Sequence, residues 1–220
     1  MDGEILLIDK PDGMSSFGVV ARVRRKLSKH AGHKVKVGHT GTLDPFATGL
    51  LILLTGKGTK RSNEFLKLNK TYEATVRLGA TSTTGDPEGE ITEKACEPVD
   101  RAQVEAIIPQ FLGEIEQRVP QFSAVKINGE RAYKLARKGE QVEMPVRKIK
   151  IYSLEILDYA WPELKIRCHV SSGTYIRTLG EDLGKALGTG AYLTALRRTE
   201  VGDYKVEDAV KLDEFMNLAA

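Results

Sequence analysis

Residues 38–51 read GHTGTLDPFATGLL. Two glycines, Gly38 and Gly41, lead into Leu43-Asp44-Pro45, and the apolar run Leu50-Leu51-Ile52-Leu53-Leu54 follows at once. A carboxylate on a stiff loop that feeds directly into buried structure is held still. Such a group suits a nucleophile or a base. The alternative for an Asp-Pro pair is a helix start, with Asp44 as N-cap and Pro45 at the first helical position. One residue can do both.

Working outward, the composition permits a packed core. The chain has 220 residues, 41% of them hydrophobic, which is enough for one large domain or one domain with a small appendage. No stretch approaches the roughly 18 apolar residues of a membrane helix. The start, MDGEILLIDKP, carries acids and only a short apolar run, Ile5 to Ile8, and does not read as a signal peptide. Cys96 and Cys168 lie far apart with no CxxC or Cys/His cluster. They read as two reduced cysteines of a cytoplasmic protein, and no zinc site is expected.

Net charge is only +3, but its distribution is uneven. Residues 22–36 contain seven Lys/Arg and no acid. Arg22, Arg25, Lys26 and Lys29 fall on one helical stripe, with Phe17, Val20, Val23 and Leu27 on the opposite face. Ser15 or Ser16 can cap the start. The spacing predicts an amphipathic helix with a basic outer face, suited to phosphate contact. Residues 120–150 hold eight Lys/Arg, among them Lys134, Arg137 and Lys138, against three acids, a local +5. With the hairpin signal Asn128-Gly129 and a short helix over Arg131–Lys138, this segment reads as a projecting basic flap.

Elsewhere, a first strand is predicted over Glu4–Ile8. Tyr72–Leu78 alternates with Tyr72, Ala74, Val76 and Leu78 on one side, and Leu164–Val170 alternates likewise. Helices are predicted over Asp100–Phe111 and from about Tyr175. The segment 201–218 reads as a last strand and a short helix. Strands and helices alternate without a regular βαβ rhythm. The class is therefore α+β with a mixed, mostly antiparallel central sheet and flanking helices.

The loop around Asp44 closely resembles the catalytic loop of the TruB family of tRNA pseudouridine synthases, through the order Gly-His-Thr-Gly-x-Leu-Asp-Pro. Gly3–Ser15, Lys70-Thr71-Tyr72, Thr84-Gly85-Asp86, Pro120–Tyr133 and Ser172–Leu179 fit the same pattern, so the resemblance covers nearly the whole chain. It implies a pseudouridine synthase fold with an active-site cleft. It also implies isomerisation of uridine to pseudouridine at position 55 of the tRNA T-loop. Metal and organic cofactor are both expected to be absent. Asp44 would be catalytic, Tyr72 would lie against the target base, and Arg177 would pair with the aspartate. His39 would help hold flipped-out loop bases. The stretch Val206–Met216 resembles the end of the catalytic domain. A single domain over 1–220 is therefore expected, including the flap, without the C-terminal RNA-binding PUA domain of many bacterial members.

The residue types suit that chemistry in their own right. A carboxylate can attack C1′, take a proton from the sugar, or stabilise positive charge as a glycosidic bond breaks. An aromatic residue offsets part of the cost of unstacking a base. A cation such as Arg177 in a first helical turn opposes the helix dipole and calls for a negative partner. Gly56-Lys57-Gly58-Thr59 lacks the spacing of a P-loop, and residues 86–90 lack that of a calcium loop. The partner expected is the T-arm stem-loop of tRNA, bound by a monomer with no obligate protein partner and no membrane. The rival reading is an RNA-binding or tRNA-folding module with little or no catalysis. A glycoside hydrolase lacks a second carboxylate with an acid role.

Overall fold

The computed structural model describes residues 3–140 and 142–218. The elements in chain order begin with β1 (Ile5–Lys10), α1 (Ser16–Ala31), β2 (Val37–His39), β3 (Thr48–Thr55), α2 (Ser62–Leu66), β4 (Lys70–Leu78), β5 (Ala80–Ser82) and β6 (Ile91–Glu93). Next come α3 (Arg101–Ile107), β7 (Gly113–Arg118), β8 (Lys126–Ile127), β9 (Glu130–Arg131), α4 (Ala132–Arg137), β10 (Val146–Ala160) and β11 (Glu163–Val170). The last are α5 (Ile176–Ala186), β12 (Ala191–Val201), β13 (Tyr204–Lys205), β14 (Val210–Lys211) and α6 (Leu212–Asn217). The chain divides into two compact units, one up to Glu73 together with Leu196 onward, the other Ala74–Ala195.

In the first unit, β3 pairs antiparallel with β1 in register Ile5↔Leu54 to Lys10↔Gly49, and with β2, His39 facing Leu53. It runs parallel to β12 at Arg197↔Thr48 and Arg198↔Gly49. β14 extends β1 in parallel, and β13 turns back on the end of β12. Every residue from Gly49 to Thr55 is buried. A strand covered on both faces has no polar side to alternate with, which accounts for the unbroken apolar run. Leu50, Ile52 and Leu54 pack with Phe65, Val201 and Val206.

α1 begins as predicted. Ser15 is the N-cap, its hydroxyl accepting from the Gly18 amide at 3.0 Å, and Gly32 ends the helix with φ 70°. Val19, Val20 and Val23 are buried. Phe17 departs from the expected apolar face: it is 65% exposed, because the buried stripe is centred on Ser16, Val20 and Val23, about a quarter-turn away. The helix-start reading of Asp44 is also overturned. Residues 44–47 form a turn closed by the Ala47 amide on the Asp44 carbonyl at 3.1 Å, and a strand follows.

In the second unit, β7, β10 and β11 form an antiparallel meander, and β5–β6 and β8–β9 are short hairpins. β11 buries Leu164, Ile166, Cys168 and Val170, as its alternation predicts. The helix expected over 100–111 is shorter. α3 is capped by an Asp100–Gln103 capping box, and Pro109 accompanies a change to a 3₁₀ turn over Ile108–Phe111. The flap hairpin turns at Asn128 and Gly129, both at positive φ, the type I′ pattern. Ala132 and Met144 pack with Val119 at its base. With parallel and antiparallel pairs and helices alongside, the architecture is the mixed α+β class expected.

Gly49 is a point of close approach. Its φ is +98°, and a Cβ there would lie 2.3 Å from the Arg198 carbonyl oxygen. Gly49→Ala is expected to lower stability by at least about 2 kcal/mol, since both the backbone conformation and the strand contact resist a side chain. Urea unfolding followed by circular dichroism checks this; an unchanged midpoint would show that β3 and β12 can part without cost.

Candidate functional site

The Asp44 loop is held from three directions within the first unit. From α1, the buried Ser16 hydroxyl accepts from the Leu43 amide at 2.8 Å and donates to the Leu43 carbonyl at 2.9 Å. From the end of β1, Lys10, which is 0% exposed, donates to the Pro45 carbonyl at 2.9 Å and to those of Pro11 and Met14. The residues on either side of Asp44 are thus fixed. From β12, Arg198 donates through Nε to the Leu50 carbonyl at 2.8 Å and through Nη2 to the Gly41 carbonyl at 3.1 Å. Its neighbour Arg197 binds Asp9 through two hydrogen bonds, 2.8 and 3.0 Å, and reaches the Thr48 hydroxyl at 3.4 Å. Asp44 itself is half-buried.

His39 ends β2 just before this loop. Its pKa lies below the ordinary histidine value, mainly because the ring is buried and secondarily because Arg198 is cationic. The ring is therefore neutral at physiological pH. The Gly41 amide points at Nδ1 from 3.4 Å. Tyr72 is buried on β4 at 8% exposure. The strand beside it is fixed by Thr71, whose hydroxyl donates to Glu200 at 2.7 Å and whose carbonyl accepts from Thr199 at 3.2 Å.

Arg177 belongs to the second unit, on the first turn of α5. Its side chain is only 5% exposed. The negative partner that the helix dipole calls for is present. The carboxylate of Asp86 lies 3.3 Å from Nη1, and the guanidinium also donates to the carbonyls of Thr84 and Phe122, each at 2.7 Å. Asp86 accepts in turn from the Thr84 hydroxyl at 2.5 Å and the Glu88 amide at 3.0 Å. Gln117 pins the start of α5, donating to the Tyr175 carbonyl at 3.0 Å and accepting from its amide at 2.8 Å.

The basic residues divide into two kinds. Arg22, Arg25, Lys29, Lys134 and Arg137 are exposed. Lys26 departs from the expected phosphate role: its ammonium donates to the carbonyls of Phe215, Met216 and Leu218 at 2.6, 3.1 and 2.6 Å. Lys138 pairs within the flap with Glu130 at 3.0 Å, which raises its pKa, and stands 4.0 Å from Glu140. Lys10 and Arg198 did not emerge from the sequence: Lys10 lies just past the strand predicted over Glu4–Ile8, and Arg198 on a strand that has no uninterrupted alternation. Among the described residues, no group of three or more His, Cys, Asp or Glu is placed to hold a metal, and neither Cys96 nor Cys168 is in a disulfide.

Comparison with known proteins gives a consistent picture. The family model for the N-terminal domain of TruB family pseudouridylate synthases matches residues 24–176. That for the C-terminal domain of tRNA pseudouridylate synthase B matches residues 177–220. The tRNA pseudouridine synthase B of Phocaeicola vulgatus is 48% identical over 216 residues, covering 97% of this chain and 92% of that protein. The protein of the same name from Cupriavidus pinatubonensis is 49% identical over 215 residues, covering 96% of this chain and 66% of that one. A chain in the crystal structure of a Cbf5-Nop10-Gar1 complex is 30% identical with a TM-score of 0.75, covering 97% of this chain and 53% of that one. A chain in an H/ACA RNP bound to a substrate RNA containing 2′-deoxyuridine is 28% identical with a TM-score of 0.72, covering 97% and 52%. The chain thus spans about half the length of the chains in these two structures.

Lys70, two residues before Tyr72, is buried at the C-terminal end of α2, donating to the carbonyls of Leu66, Leu68 and Phe65. Burial, helped by the charge of Arg198, lowers its pKa to about 8. The folded state therefore binds this proton more weakly than the unfolded chain. The penalty is present in full below about pH 8 and is relieved as pH rises toward the roughly 10.4 of an ordinary lysine. NMR of labelled lysine side chains should show one ammonium titrating near 8 and vanishing from that range in Lys70→Met. A spectrum in which every lysine titrates above 10 would contradict the burial.

Proposed function

The chain belongs to the TruB family of pseudouridylate synthases, and on that premise we propose that it isomerises uridine to pseudouridine in the T-loop of tRNA, at position 55, with Asp44 as the catalytic group. The observation that carries this reading is the Asp44 loop itself. A half-buried carboxylate is flanked by residues pinned through Ser16 and Lys10, so its position is set before substrate arrives. Preorganisation of this kind is what a group acting on the sugar C1′ needs, whether it attacks the carbon, removes a sugar proton, or stabilises positive charge as the glycosidic bond breaks.

The target base must leave its stack, at a cost of a few kcal/mol, before Asp44 can reach the sugar. Tyr72 is proposed as the surface that receives it. His39, neutral and half-buried, is proposed to hold neighbouring flipped bases through ring contact and hydrogen bonding, which an uncharged imidazole can do as donor and acceptor. Arg177, which the family resemblance pairs with the catalytic aspartate, is proposed as a further substrate-binding residue. Phosphates would meet the exposed cations Arg22, Arg25, Lys29, Lys134 and Arg137. The protein would act alone on the T-arm stem-loop, in the cytoplasm. A binding or tRNA-folding module would need no fixed carboxylate beside phosphates, which is why catalysis is the preferred reading.

The reaction breaks N1–C1′, joins C5 to C1′, and passes the C5 proton to water. A T-arm stem-loop labelled with tritium at C5 should release one label per site modified. Asp44→Asn should cut release by at least about a thousandfold while RNA affinity stays within a few fold, because the carboxylate does the chemistry and the basic surfaces supply binding. A folded wild-type protein that binds the RNA yet releases no tritium would leave only the binding reading. Substantial turnover by Asp44→Asn, free of deamidated protein, would remove Asp44.

Replacing Arg22 and Arg25 by Gln, or Lys134 and Arg137, should also flatten the salt dependence of binding, by about 0.9 in log–log slope for each duplex phosphate no longer neutralised. Slopes unchanged in both variants would make these residues ordinary solvated charges.

A further inference from the structure

We propose that Arg198 is a positioning residue for the reaction, a buried crossbar between the two ends of the loop that carries Asp44. The contacts differ in kind from those of the other two anchors. The described hydrogen bonds of Ser16 go to Leu43, next before Asp44, and Lys10 holds the Pro45 carbonyl, next after it. Arg198 instead joins the Gly41 carbonyl, before Asp44, to the Leu50 carbonyl, after it. The distance between those ends sets how far the loop bows and so where its carboxylate stands. A planar fork serves two separated carbonyls from separate nitrogens held in one plane, where an ammonium offers all its donors from a single atom.

The surroundings are shaped to admit this side chain. Arg198 is 3% exposed. Its backbone lies against Gly49, where any side chain would collide with it, and a Cβ at Gly41 would come within 3.4 Å of Nη1. The glycine at 49 of the loop motif is thereby accounted for, since it lets β12 close on β3, while a Cβ at 41 would meet the guanidinium at ordinary contact distance. The described hydrogen bonds of the guanidinium go to neutral carbonyls, so its charge still acts on its neighbours. It disfavours protonation of both His39 and Lys70. Arg198 therefore does two separable things: its shape sets the loop, and its charge adds to the burial that disfavours protonation of the loop histidine.

This inference rests on the proposed role of Asp44. The test uses the full chain with Arg198→Lys, which keeps the charge and loses the fork, and Arg198→Met, which loses both. Three quantities are read: tritium release at saturating stem-loop RNA, RNA affinity, and the His39 titration by NMR, each on protein shown to be folded by its amide spectrum. Both variants should lose at least about tenfold in kcat while the Kd for RNA stays within about threefold. The His39 pKa should rise in Arg198→Met and stay low in Arg198→Lys. Should Arg198→Met fail to fold, Arg198→Lys carries the test through kcat and the amide shifts of residues 41–50. A folded Arg198→Lys with unchanged kcat would overturn the proposal, as would a kcat loss in both variants that matches the loss of folded protein. Inactive wild-type protein would point instead to failure of the functional reading.

Discussion

A lysine ammonium out of reach of water costs several kcal/mol unless each of its three protons finds an acceptor. Lys10 meets that demand with backbone: the carbonyls of Pro11, Met14 and Pro45. The consequence is structural as much as electrostatic. One point charge ties the end of β1, the turn before α1 and the residue after Asp44 to a common centre. Charge-assisted hydrogen bonds are the stronger kind, roughly 1.5–3 kcal/mol each, and all three would be lost together. The loop that carries the candidate catalytic carboxylate therefore cannot shift at Pro45 without uncovering a buried cation.

The same arrangement recurs wherever short elements end. α2 and α6 are five and six residues long, too short to persist on helix propensity alone. Their last carbonyls point outward unpaired, at the negative end of the helix dipole. Lys70 closes the end of α2, and Lys26 closes that of α6 from a helix nearly two hundred positions earlier in the chain. Within the second unit, Arg177 does for the Thr84 and Phe122 carbonyls what Lys10 does for the Asp44 loop, with Asp86 neutralising it. Cations of this kind hold loops more rigidly than apolar packing would, because a displaced carbonyl leaves an unpaired charge as well as a gap.

How much of this was legible from residue order follows from range. Features set by near neighbours could be read: the Ser15 cap, the Asn128-Gly129 turn, and the alternation of β4 and β11. So could the loop motif around Asp44, since its glycines and proline act locally. What could not be read depends on contacts between distant segments. Lys26 lies on a clean basic stripe, and only the arrival of α6 takes its ammonium out of solvent. Phe17 fits an apolar face by rough spacing, yet the stripe that packs is set by which side of α1 meets β2. β10 escaped notice because register shifts between Ile151 and Ser153 and between Ile156 and Asp158 break its alternation. Arg197 and Arg198 are adjacent and chemically alike. Only the pairing of β12 with β3 decides that Arg198 turns inward to carbonyls and Arg197 outward to Asp9.

That division has a consequence for how a polyanion would be bound. The chain carries 33 Lys and Arg against 30 acids, a nearly balanced composition that says little about RNA. Lys10, Lys26, Lys70, Arg177 and Arg198 already donate to backbone carbonyls. A phosphate could recruit them only by breaking contacts that maintain the fold. Binding by counterion release needs cations that are free to trade water and salt for phosphate, and those are exposed ones such as Arg22, Arg25 and Lys29 on α1, and Lys134 and Arg137 on α4. The number of cations along a stripe therefore overstates the electrostatic contribution to affinity. The engaged cations contribute differently, by holding the loops on which any specificity for a particular uridine would have to be built.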